Sequence, residues 1–379
     1  MKKMLMLATT AAMSEQFNKN NILILEEMGY EVHVAGNWKE GNPISNERLE
    51  EFKEWIAEHH GKWFHIPSTR KPNDLKNNFV AYKEVVRLIR EHKYEFIHCH
   101  TPIGSVIGRI AAHFTKTKII YTAHGFHFYK GAPIKNWLLY YPVEWFLSYW
   151  TDLLILINEE DLKRAKKLFH SKKISYIPGI GIDLNKYKYS KELRAKKREE
   201  LKLDSETKMF LSVGELIPRK NFAIVIESIK LLGRKDVQYF ICGQGTDKGK
   251  LVKLIYDLKL DKQVHILGFR TDILELCNAC DCFVFPSLQE GISVALMEAI
   301  ACEAPVICSR IRGNVDMINN DNYLFDPLDI RSILLRLQYI ISNQHEVQVK
   351  ENYAVLKKYD VLSINLVMRK IYKEIVGKE

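Results

Sequence analysis

Short apolar segments alternate with amphipathic, helix-like segments along almost the whole chain, and this alternation restricts the possible folds more than any other feature. Seven apolar segments occupy the first half: MLMLA, EVHVA, WFHIP, FIHCH, KIIYTA, LLILI and ISYIP. After a charged stretch, Lys186 to Lys202, the series restarts with MFLSVG, VQYFICG, VHILGF, CFVFPS and APVICS. Strands that are separated by helices form β-α-β crossovers and parallel sheets. We therefore predict an α/β protein with two Rossmann-like domains.

The chain length and the restart of the pattern set the expected domain boundaries. With 379 residues the chain is too long for one hydrophobic core. We place the seam in the basic segment around Ser190–Leu201 and expect domains at residues 1–187 and 188–359, facing each other across a cleft. We expect the last helical segment, about residues 360–379, to pack back on the first domain. Ligands of parallel sheets bind outside the carboxyl ends of the strands, so the residues that follow each strand are the candidates for chemistry.

The charge and the cysteine content narrow the class of protein. The net charge of +10 and the pI of about 9.0 are compatible with nucleic acid, an anionic bilayer or phosphorylated substrates as partners. No basic motif interleaved with aromatic residues is present, so we expect no nucleic-acid partner. Seven cysteines, an odd number, favour a reducing cytoplasm. Cys277, Cys280 and Cys282 lack a second Cys/His pair at zinc spacing, so we expect no metal site.

Two apolar regions could be taken for membrane or leader segments. The N-terminal MKKMLMLATTAAM runs directly into an amphipathic segment, Glu15 to Met28, and then into the strand EVHVA. This order is typical of a first β-α-β unit rather than a leader. The longest apolar stretch, Asn136 to Ile157, is interrupted by Pro142 and by two carboxylates, so it cannot span a bilayer. Its tryptophans either pack against the first sheet or lie on a membrane.

Several nucleotide-binding and catalytic patterns can be tested at the strand ends. No glycine follows the first strand, which argues against a dinucleotide-dependent oxidoreductase, and no Walker motif is present. His124 and Gly125 follow KIIYTA, where the histidine either reaches a ligand or caps a turn in the core. His98 and His100 lie on one face of FIHCH, because side chains alternate along a strand. They either line the cleft or are packed inside.

Cations and glycines follow two strands of the second half. Arg219 and Lys220 come directly before the helical segment NFAIVIESI. Positive side chains beside the N-terminus of a helix form a phosphate or pyrophosphate site, because the free N–H groups and the helix dipole add to their charge. Gly243 and Gly245 form a turn after VQYFIC that lets the backbone approach a ligand. This second signal is weak when taken alone.

The stretch PSLQEGISVALMEAIA contains two carboxylates eight positions apart. Glu290 lies in the loop after CFVFPS, and Glu298 lies about one and a half turns into the following helix. The backbone amides of residues 291–294 are placed to bind an anion. A buried carboxylate needs hydrogen-bond donors, and two neighbouring sugar hydroxyls would supply them. The alternative is a structural helix cap with a chance charge.

In combination, these features resemble the family 4 retaining glycosyltransferases of GT-B fold. The resemblance rests on the Glu-x7-Glu element after FPS, the His-Gly pair at a strand end, the Arg-Lys pair after SVG, and PGIGID at the seam. It covers nearly the whole chain. HGFHFYKGAP and YYPVEWF resemble the branch that builds bacterial capsular, exopolysaccharide and lipid-linked oligosaccharide chains. The resemblance implies a nucleotide-sugar donor, which we expect to be UDP-linked.

The resemblance also implies roles for individual residues of the second domain. Glu298 would hold the ribose, Glu290 the transferred sugar near its anomeric carbon, and Lys220 the leaving diphosphate. The further residues implied at the donor are Arg219, Gly243, Phe269, Arg270, Gly291, Ile292, Ser293 and Val294. Three positions depart from the family pattern, because Glu215 stands where arginine is common, Ser293 where a second glycine is usual and Ala295 where proline is usual. These departures concern how the phosphates are bound and which donor sugar is used.

For the first domain the resemblance implies the acceptor. His124 would contact the sugar or the reacting centre from the opposite domain, and His100, Trp137 and Trp145 would lie on the acceptor or membrane side. We expect a lipid-diphosphate or glycan acceptor, an anionic membrane surface as partner, and a peripheral position on the cytoplasmic face of the cell membrane. We expect a metal-independent reaction without a cofactor. The alternative considered is a GT-B-like UDP-sugar 2-epimerase, which would need additional catalytic carboxylates.

Overall fold

The computed structural model describes residues 1–343 and 345–377 and divides them into two units. Unit 1 contains Met1–Ile180 and the C-terminal segment that begins at Leu362, and unit 2 is Gly181–Val361. The boundary expected between residues 187 and 188 lies seven residues after the observed division between Ile180 and Gly181. Residues 181–187 belong to unit 2 because the backbone of Ile182 pairs with Asp360 and hydrogen-bonds to Tyr359 and Val361.

Unit 1 is built around a parallel sheet. Its strands are β1 (Lys2–Thr10), β2 (Tyr30–Asn37), β3 (Lys62–His65), β4 (Phe96–His100), β5 (Lys118–Ala123), β6 (Leu153–Leu156) and β7 (Lys173–Tyr176). Their spatial order is β3-β2-β1-β4-β5-β6-β7, with all pairs parallel. Met4 to Ala8 are completely buried, because β1 is a central strand with helices on both faces. This double burial explains why the segment reads as a continuous apolar run.

The helices of unit 1 connect these strands and cover both faces of the sheet. They are α1 (Ala11–Phe17), α2 (Lys19–Glu27), α3 (Asn46–Glu58), α4 (Leu75–His92), α5 (Pro102–Thr115), α6 (Ile134–Ser148) and α7 (Glu159–Leu168). The single helix expected from Glu15 to Met28 is instead two helices, which meet at Asn18. Asn18 is fully buried and its Oδ1 accepts a hydrogen bond from Asn21 Nδ2 at 2.9 Å, an arrangement that competes with a continuous helix.

Unit 2 has a second parallel sheet with the same construction. Its strands are β8 (Lys208–Val213), β9 (Val237–Cys242), β10 (Val264–Gly268), β11 (Cys282–Phe285), β12 (Val306–Ser309) and β13 (Leu324–Phe325). Their spatial order is β10-β9-β8-β11-β12-β13. The two-residue strand β13 was not predicted, because LF is too short to give a pattern. All seven cysteines of the protein are free and buried, and within the described residues no group of histidine, cysteine and carboxylate side chains could hold a metal.

The helices of unit 2 include one that the sequence suggested as a linker. They are α8 (Lys191–Glu200), α9 (Phe222–Leu232), α10 (Lys248–Asp257), α11 (Ile273–Ala279), α12 (Val294–Ala301), α13 (Ile330–Ser342) and α14 (Glu346–Leu356). The seam expected around Ser190–Leu201 is therefore wrong. The basic residues of α8 are structural, because Arg194 and Arg198 bind Asp281 and Lys197 binds Asp272.

The last helix, α15 (Val361–Ile375), packs on unit 1. The Tyr372 hydroxyl lies 2.9 Å from His98 Nδ1 in β4, and Lys118 Nζ donates to the carbonyl oxygen of Ile375 at 2.8 Å. Tyr372 is fully buried, and burial of one large side chain contributes about 1.5–3 kcal/mol to stability. Within the described residues no helix is both long and apolar enough to cross a membrane.

Each sheet has one position where the strand order reverses. In unit 1 the chain proceeds outward in one direction from β1 and in the other from β4, and in unit 2 the reversal lies between β8 and β11. Connections leave such a pair of strands to opposite sides, which opens a crevice at their carboxyl ends. The residues that follow β1, β4, β8 and β11 are therefore the first place to look for a ligand site. The two-domain, parallel-sheet architecture confirms the predicted fold class.

Candidate active site

Lys220 and Glu290 meet at the reversal point of the unit 2 sheet. Lys220 ends a 3-10 turn, Pro218–Lys220, in the loop after β8, and Glu290 lies in the loop after β11. Lys220 Nζ donates to Glu290 Oε1 at 2.7 Å, and Arg219 Nη1 donates to the same oxygen at 3.0 Å. Arg219 Nη1 also donates to the carbonyl oxygen of Gln289 at 2.7 Å. Two positive charges therefore share one carboxylate oxygen.

The burial of this cluster strengthens its electrostatics. The side chain of Glu290 is 10% exposed and that of Lys220 is 12% exposed, whereas Arg219 is 40% exposed. Burial by itself raises the pKa of the Glu290 carboxyl, but the charges of Lys220 and Arg219 outweigh it and hold the pKa below its usual value of 4.5. Glu290 is thus an anion at neutral pH. Arg219, the more exposed cation, has more freedom to move toward a ligand.

The loop after Glu290 leads into the N-terminus of α12 with free donors. The Ser293 hydroxyl caps the helix by accepting from the Leu296 backbone N–H at 3.3 Å. The backbone N–H groups of Gly291, Ile292 and Ser293 have no acceptor among the described residues. The free N–H groups lie next to the positive end of the helix dipole, so together they attract an anion.

A third loop, after β12, supports this segment. Arg312 is 6% exposed, and its Nε donates to the carbonyl oxygen of Glu290 at 3.0 Å. Gly313 has φ +79°, and a Cβ built on it would lie 2.0 Å from the carbonyl oxygen of Gly291. Only glycine fits this close approach. Arg312 and Gly313 therefore fix the backbone on either side of the Glu290–Gly291 peptide.

Glu298 lies on α12 in a more apolar setting than Glu290. Burial raises the pKa of the Glu298 carboxyl, and the neighbouring Tyr187 hydroxyl and Lys186 charge offset this effect only in part. Tyr187 is partly buried, and burial together with the Glu298 charge raises the pKa of its hydroxyl. A carboxylate in this position gains from additional hydrogen-bond donors. Paired hydroxyl groups of a ribose have the required chemistry.

The glycine turn after β9 packs directly against the loop that leads to Lys220. A Cβ on Gly243 would lie 1.8 Å from the carbonyl oxygen of Gly214, the residue after β8. The side chain of Lys220 also packs against Gly214, because a Cβ built on Gly214 would lie 3.2 Å from Lys220 Cε. Next to this turn, Phe269 is exposed, and the Arg270 guanidinium is held by Asp272 with an Nε to Oδ1 distance of 2.7 Å. Arg270 thus already has a carboxylate partner.

In unit 1, three histidines gather at the carboxyl ends of β4 and β5. His100 Nδ1 lies 3.0 Å from His124 Nε2, and the rings of His98 and His100 have centroids 4.2 Å apart. Burial lowers the pKa of His98 to about 3 and that of His124 to about 4, and it holds the pKa of His100 well below its usual range. All three are neutral at pH 7. His98 and His100 are packed inside, whereas His124 is partly exposed.

A cavity of about 270 Å³ opens at the reversal point of the unit 1 sheet, between the ends of β1 and β4. Thr9 and Thr101 are among its lining residues, with their hydroxyl oxygens 2.6 Å apart. Among its described lining residues Arg70 is the one charged side chain. Most of the remaining wall is apolar or aromatic: Met13, Phe17, Pro43, Pro72, Pro102, Ile103 and Tyr140.

Helix α6 is anchored on one side and apolar on the other. Glu144 is buried and forms an ion pair with the fully buried Arg109, at 2.8 Å from Nη1 to Oε2, and it accepts from the Tyr121 hydroxyl at 3.2 Å. This explains the carboxylate inside the apolar stretch. Trp137 is half-buried against Phe128 and the Arg164 guanidinium, and Trp145 is 38% exposed. Large apolar side chains project from the outer part of the helix: Ile134, Leu138, Leu139, Val143, Trp145 and Phe146.

Comparison with known proteins shows the family. Residues 194–359 match the profile of the group 1 glycosyl transferases, and residues 23–186 match the profile of Glycosyltransferase Family 4. EpsD of Bacillus subtilis (strain 168), which is named as a glycosyltransferase, is 35% identical over 84% of this chain and 81% of its own length. The chain belongs to the family 4 glycosyltransferases. As a glycosyltransferase, it catalyses sugar transfer.

Two further comparisons place this glycosyltransferase among known sequences and folds. The UDP-Gal:alpha-D-GlcNAc-diphosphoundecaprenol alpha-1,3-galactosyltransferase of Escherichia coli is 31% identical over 72% of each chain. The crystal structure of Anabaena Alr3699/HepE in complex with UDP and glucose aligns with a TM-score of 0.77 at 20% identity, over 99% of this chain and 100% of that one. The structural match confirms the GT-B fold expected from the sequence.

Some residues that shape the glycosyltransferase site were not found from the sequence. Arg312, Gly313 and Gly214 act through contacts between loops that are far apart in the chain. Gly214, directly after MFLSV, is the one that a search of strand ends could have found. The contact between Tyr187 and Glu298 joins the start of unit 2 to α12, and no local pattern signals it.

Proposed function

We propose that this enzyme is a retaining glycosyltransferase that transfers a sugar from a UDP-sugar to a lipid-linked or polysaccharide-precursor acceptor in bacterial cell-surface glycan synthesis. The observation that carries the proposal is the cluster of Lys220, Arg219 and Glu290 beside the start of α12, at the reversal point of the unit 2 sheet. It combines a fixed carboxylate for hydroxyl groups with cations and free amides for a diphosphate.

In the proposed donor complex each part of this cluster has one task. Lys220, Arg219 and the amides of residues 291–293 bind the diphosphate, and Ser293 and Val294 begin the helix whose dipole points at it. Glu290 accepts hydrogen bonds from hydroxyls of the transferred sugar, and Glu298 accepts from the ribose. The turn at Gly243 and the loop at Phe269 and Arg270 line the nucleotide.

The proposed reaction step uses electrostatic stabilisation of the leaving group. When the bond between the anomeric carbon and the diphosphate oxygen breaks, negative charge builds up on the β-phosphate. Lys220 is already held in place, with its Nζ over the Phe285 ring at 4.9 Å from the centroid, so little reorganisation is needed. The acceptor hydroxyl attacks on the face that the diphosphate leaves, and its proton passes to the departing diphosphate. We propose that no metal ion takes part.

The cavity of unit 1 is our candidate for the acceptor site. Its aromatic and apolar wall suits a sugar face or the start of a lipid chain, and Arg70 can bind a phosphate. The name of the Escherichia coli relative specifies a sugar on diphosphoundecaprenol as acceptor and UDP-Gal as donor. The name also specifies an α linkage. Retention gives an α-linked product from an α-linked nucleotide sugar.

We further propose that α6 binds an anionic membrane surface on the cytoplasmic side. Its exposed apolar side chains include Leu138 at 73% and Phe146 at 50%, and Lys135 on the same helix is also exposed. The net charge of the chain is +10. Apolar insertion combined with attraction to anionic lipid holds a protein at a bilayer surface. Tyr140, on the same helix, lines the acceptor cavity.

The test of the donor and acceptor classes is release of UDP. The protein is incubated with single UDP-sugars and a polyprenyl-diphosphate GlcNAc acceptor, and we expect UDP release that depends on the acceptor. Glu290→Gln should reduce turnover by at least 100-fold, a loss typical of a removed electrostatic contact to the reacting centre. Glu227→Gln, which changes an exposed carboxylate on α9, is the matched control. Near-normal turnover of Glu290→Gln, or sugar isomerisation without transfer, would contradict the proposal.

The membrane proposal is tested separately by flotation with liposomes that contain an anionic lipid. Leu138→Ser combined with Phe146→Ser should abolish flotation at low salt. Leu335→Ser, which changes an exposed leucine of unit 2, should leave it unchanged. Absence of flotation of the unmodified protein at low salt contradicts a membrane role, and it leaves the donor and acceptor chemistry unaffected.

A further inference from the structure

Three adjacent strands of unit 1 bring Met6, His100 and His124 into one line. Met6 lies in β1, His100 ends β4, and His124 follows β5, and these strands are neighbours in the order β1-β4-β5. His100 Nε2 lies 3.2 Å from Met6 Sδ, and His100 Nδ1 lies 3.0 Å from His124 Nε2. His100 is 1% exposed, so water does not replace either contact.

The chemistry of the thioether decides where the protons are. A methionine sulfur can accept a hydrogen bond but has no hydrogen to donate. His100 Nε2 must therefore carry the proton and donate to Met6 Sδ. In a neutral imidazole the other nitrogen is then an acceptor, so His100 Nδ1 accepts from His124 Nε2–H. His124 Nδ1 is left with a lone pair.

The neutral state of the pair follows from its surroundings. His98 and His124 are the titratable neighbours that act on His100, and His124 also acts on His98, whereas burial alone acts on His124. No described carboxylate contributes to the protonation of the three rings. Burial without an opposite charge lowers the pKa of a histidine, and that of His124 falls to about 4. Neither His100 nor His124 is doubly protonated at neutral pH.

The Nδ1 atom of His124 is available to a ligand. The His124 ring is partly exposed, and Nε2 is the ring nitrogen that hydrogen-bonds to a described residue. The Nδ1 atom of His124 is not one of the buried polar atoms that lack a hydrogen-bond partner. An unprotonated Nδ1 at the surface accepts hydrogen bonds from hydroxyl or amide groups. It repels phosphate and carboxylate oxygens, which have no proton to donate.

We propose that His100 is a positioning residue that, together with Met6, fixes His124 in the tautomer with Nδ1 unprotonated, so that the ligand group at His124 is a hydrogen-bond donor such as a sugar hydroxyl and not a phosphate oxygen. The assignment of a sugar hydroxyl depends on the proposed function, whereas the assignment of the tautomer does not. It makes His124 selective for the carbohydrate part of a substrate over its phosphate part.

The tautomer is measured by ¹⁵N NMR of the full chain labelled at histidine, with His124 assigned by comparison with His124→Gln. We expect a protonated Nε2 and an unprotonated Nδ1 for His124 at pH 7. A protonated Nδ1 in the unmodified protein would overturn the proposal without any variant.

Variants of His100 test what fixes the tautomer. His100→Asn can place an amide oxygen near the former Nδ1 and should keep His124 in the same tautomer. His100→Phe removes the acceptor and should give a mixture of both tautomers. Tyr372→Phe is the matched control, because its hydroxyl binds His98 but neither His100 nor His124. An unchanged His124 tautomer in a folded His100→Phe protein would overturn the positioning role. If that variant does not fold, loss of the tautomer in folded His100→Asn would overturn it.

The activity of the same variants separates this inference from the proposed function. We expect kcat/KM to fall about 10-fold in His100→Phe, as for the loss of one well-placed hydrogen bond, and to recover in His100→Asn. If the tautomer changes as expected but kcat/KM does not, the assignment of a sugar hydroxyl to His124 fails and the positioning role of His100 stands.

Discussion

Lys220 Nζ lies 2.7 Å from Glu290 Oε1, and both side chains are nearly buried at the point where the strand order of the unit 2 sheet reverses. The pair is held from both sides. The Leu288 N–H donates to the carbonyl oxygen of Arg219 at 2.8 Å, and Arg312 binds the carbonyl oxygen of Glu290. A cation and an anion that are fixed in this way are ready for a ligand that carries hydroxyls next to a diphosphate.

Removal of Lys220 should destabilise unit 2 and disable catalysis. Lys220→Met leaves the buried Glu290 with the more exposed Arg219 alone, and breaking a buried pair costs about 3 kcal/mol. Hydrogen exchange of peptides from α9 and α12 should report this loss. Tryptophan fluorescence should not change, because all six tryptophans lie in residues 1–180. Lys230→Met, an exposed substitution on α9, is the control.

The stability lost in Lys220→Met should decrease as the pH falls. The pKa of Glu290 in the folded protein is below 4.5, so its pairing stabilises the protein above pH 4.5 and this stability is lost as the pH falls through the folded pKa. The difference in stability between Lys220→Met and the unmodified protein should therefore be larger at pH 7 than near pH 3. An equal difference at both values would show that the pair contributes through packing alone.

Glu298→Gln should stabilise the free protein while it weakens donor binding. Burial raises the pKa of Glu298 above its usual value, so the ionised carboxylate costs stability at neutral pH, and this cost disappears as the pH falls below 4.5. Glutamine removes the cost but accepts fewer hydrogen bonds from a ribose. We expect slower hydrogen exchange in α12 at pH 7 and a UDP Kd raised about 10-fold by calorimetry. Unchanged UDP affinity would contradict the ribose role.

Gly243→Ala should disrupt unit 2, because the new Cβ would lie 1.8 Å from the carbonyl oxygen of Gly214. The loop that carries Lys220 must then move, and we expect a loss of about 3 kcal/mol or more together with loss of UDP binding. Gly249→Ala, in α10, meets no atom within 4 Å and should stabilise by about 0.5–1 kcal/mol. Hydrogen exchange of β8 and β9 measures both effects. Similar behaviour of the two variants would contradict the packing described at Gly243.

The histidine cluster should make unit 1 sensitive to mild acid. His98, His100 and His124 have folded pKa values below the usual 6.5, so between pH 6.5 and about 4 the unfolded state binds more protons and stability falls as the pH falls. Each fully shifted histidine contributes about 1.4 kcal/mol per pH unit. Urea unfolding followed by tryptophan fluorescence should show that the free energy of unfolding of His98→Gln depends less steeply on pH than that of the unmodified protein. His170→Gln, which changes an exposed histidine, should keep the original slope.

The buried ion pair under α6 should control the position of that helix. Arg109→Met leaves Glu144 buried without its cation and should cost about 3–5 kcal/mol. Arg109→Met combined with Glu144→Leu should recover much of the loss, because two apolar groups then replace the pair. Tryptophan fluorescence in urea measures both, since Trp137 and Trp145 lie on α6. Failure of the double variant to recover stability would show that the pair contributes more than the removal of an unpaired charge.

The sequence predicted the seven strands of unit 1 because each central strand is buried on both faces and reads as an apolar run. It also placed Arg219, Lys220, Glu290 and Glu298 on the correct loops and helix. The basic helix α8 was mistaken for a seam, because its arginines are satisfied by Asp281, which is distant in the chain. The contact of Met6 with His100 and the support of Glu290 by Arg312 depend on strand and loop neighbours that only the folded chain reveals.

The most direct measurement is the anomeric configuration of the product, read by NMR from a single reaction with a UDP-sugar and a polyprenyl-diphosphate sugar acceptor. We predict an α-linked glycolipid from an α-linked donor, one UDP released for each linkage formed, and at least 100-fold slower product formation with Glu290→Gln. A β-linked product, or an isomerised free sugar without any new linkage, would contradict it.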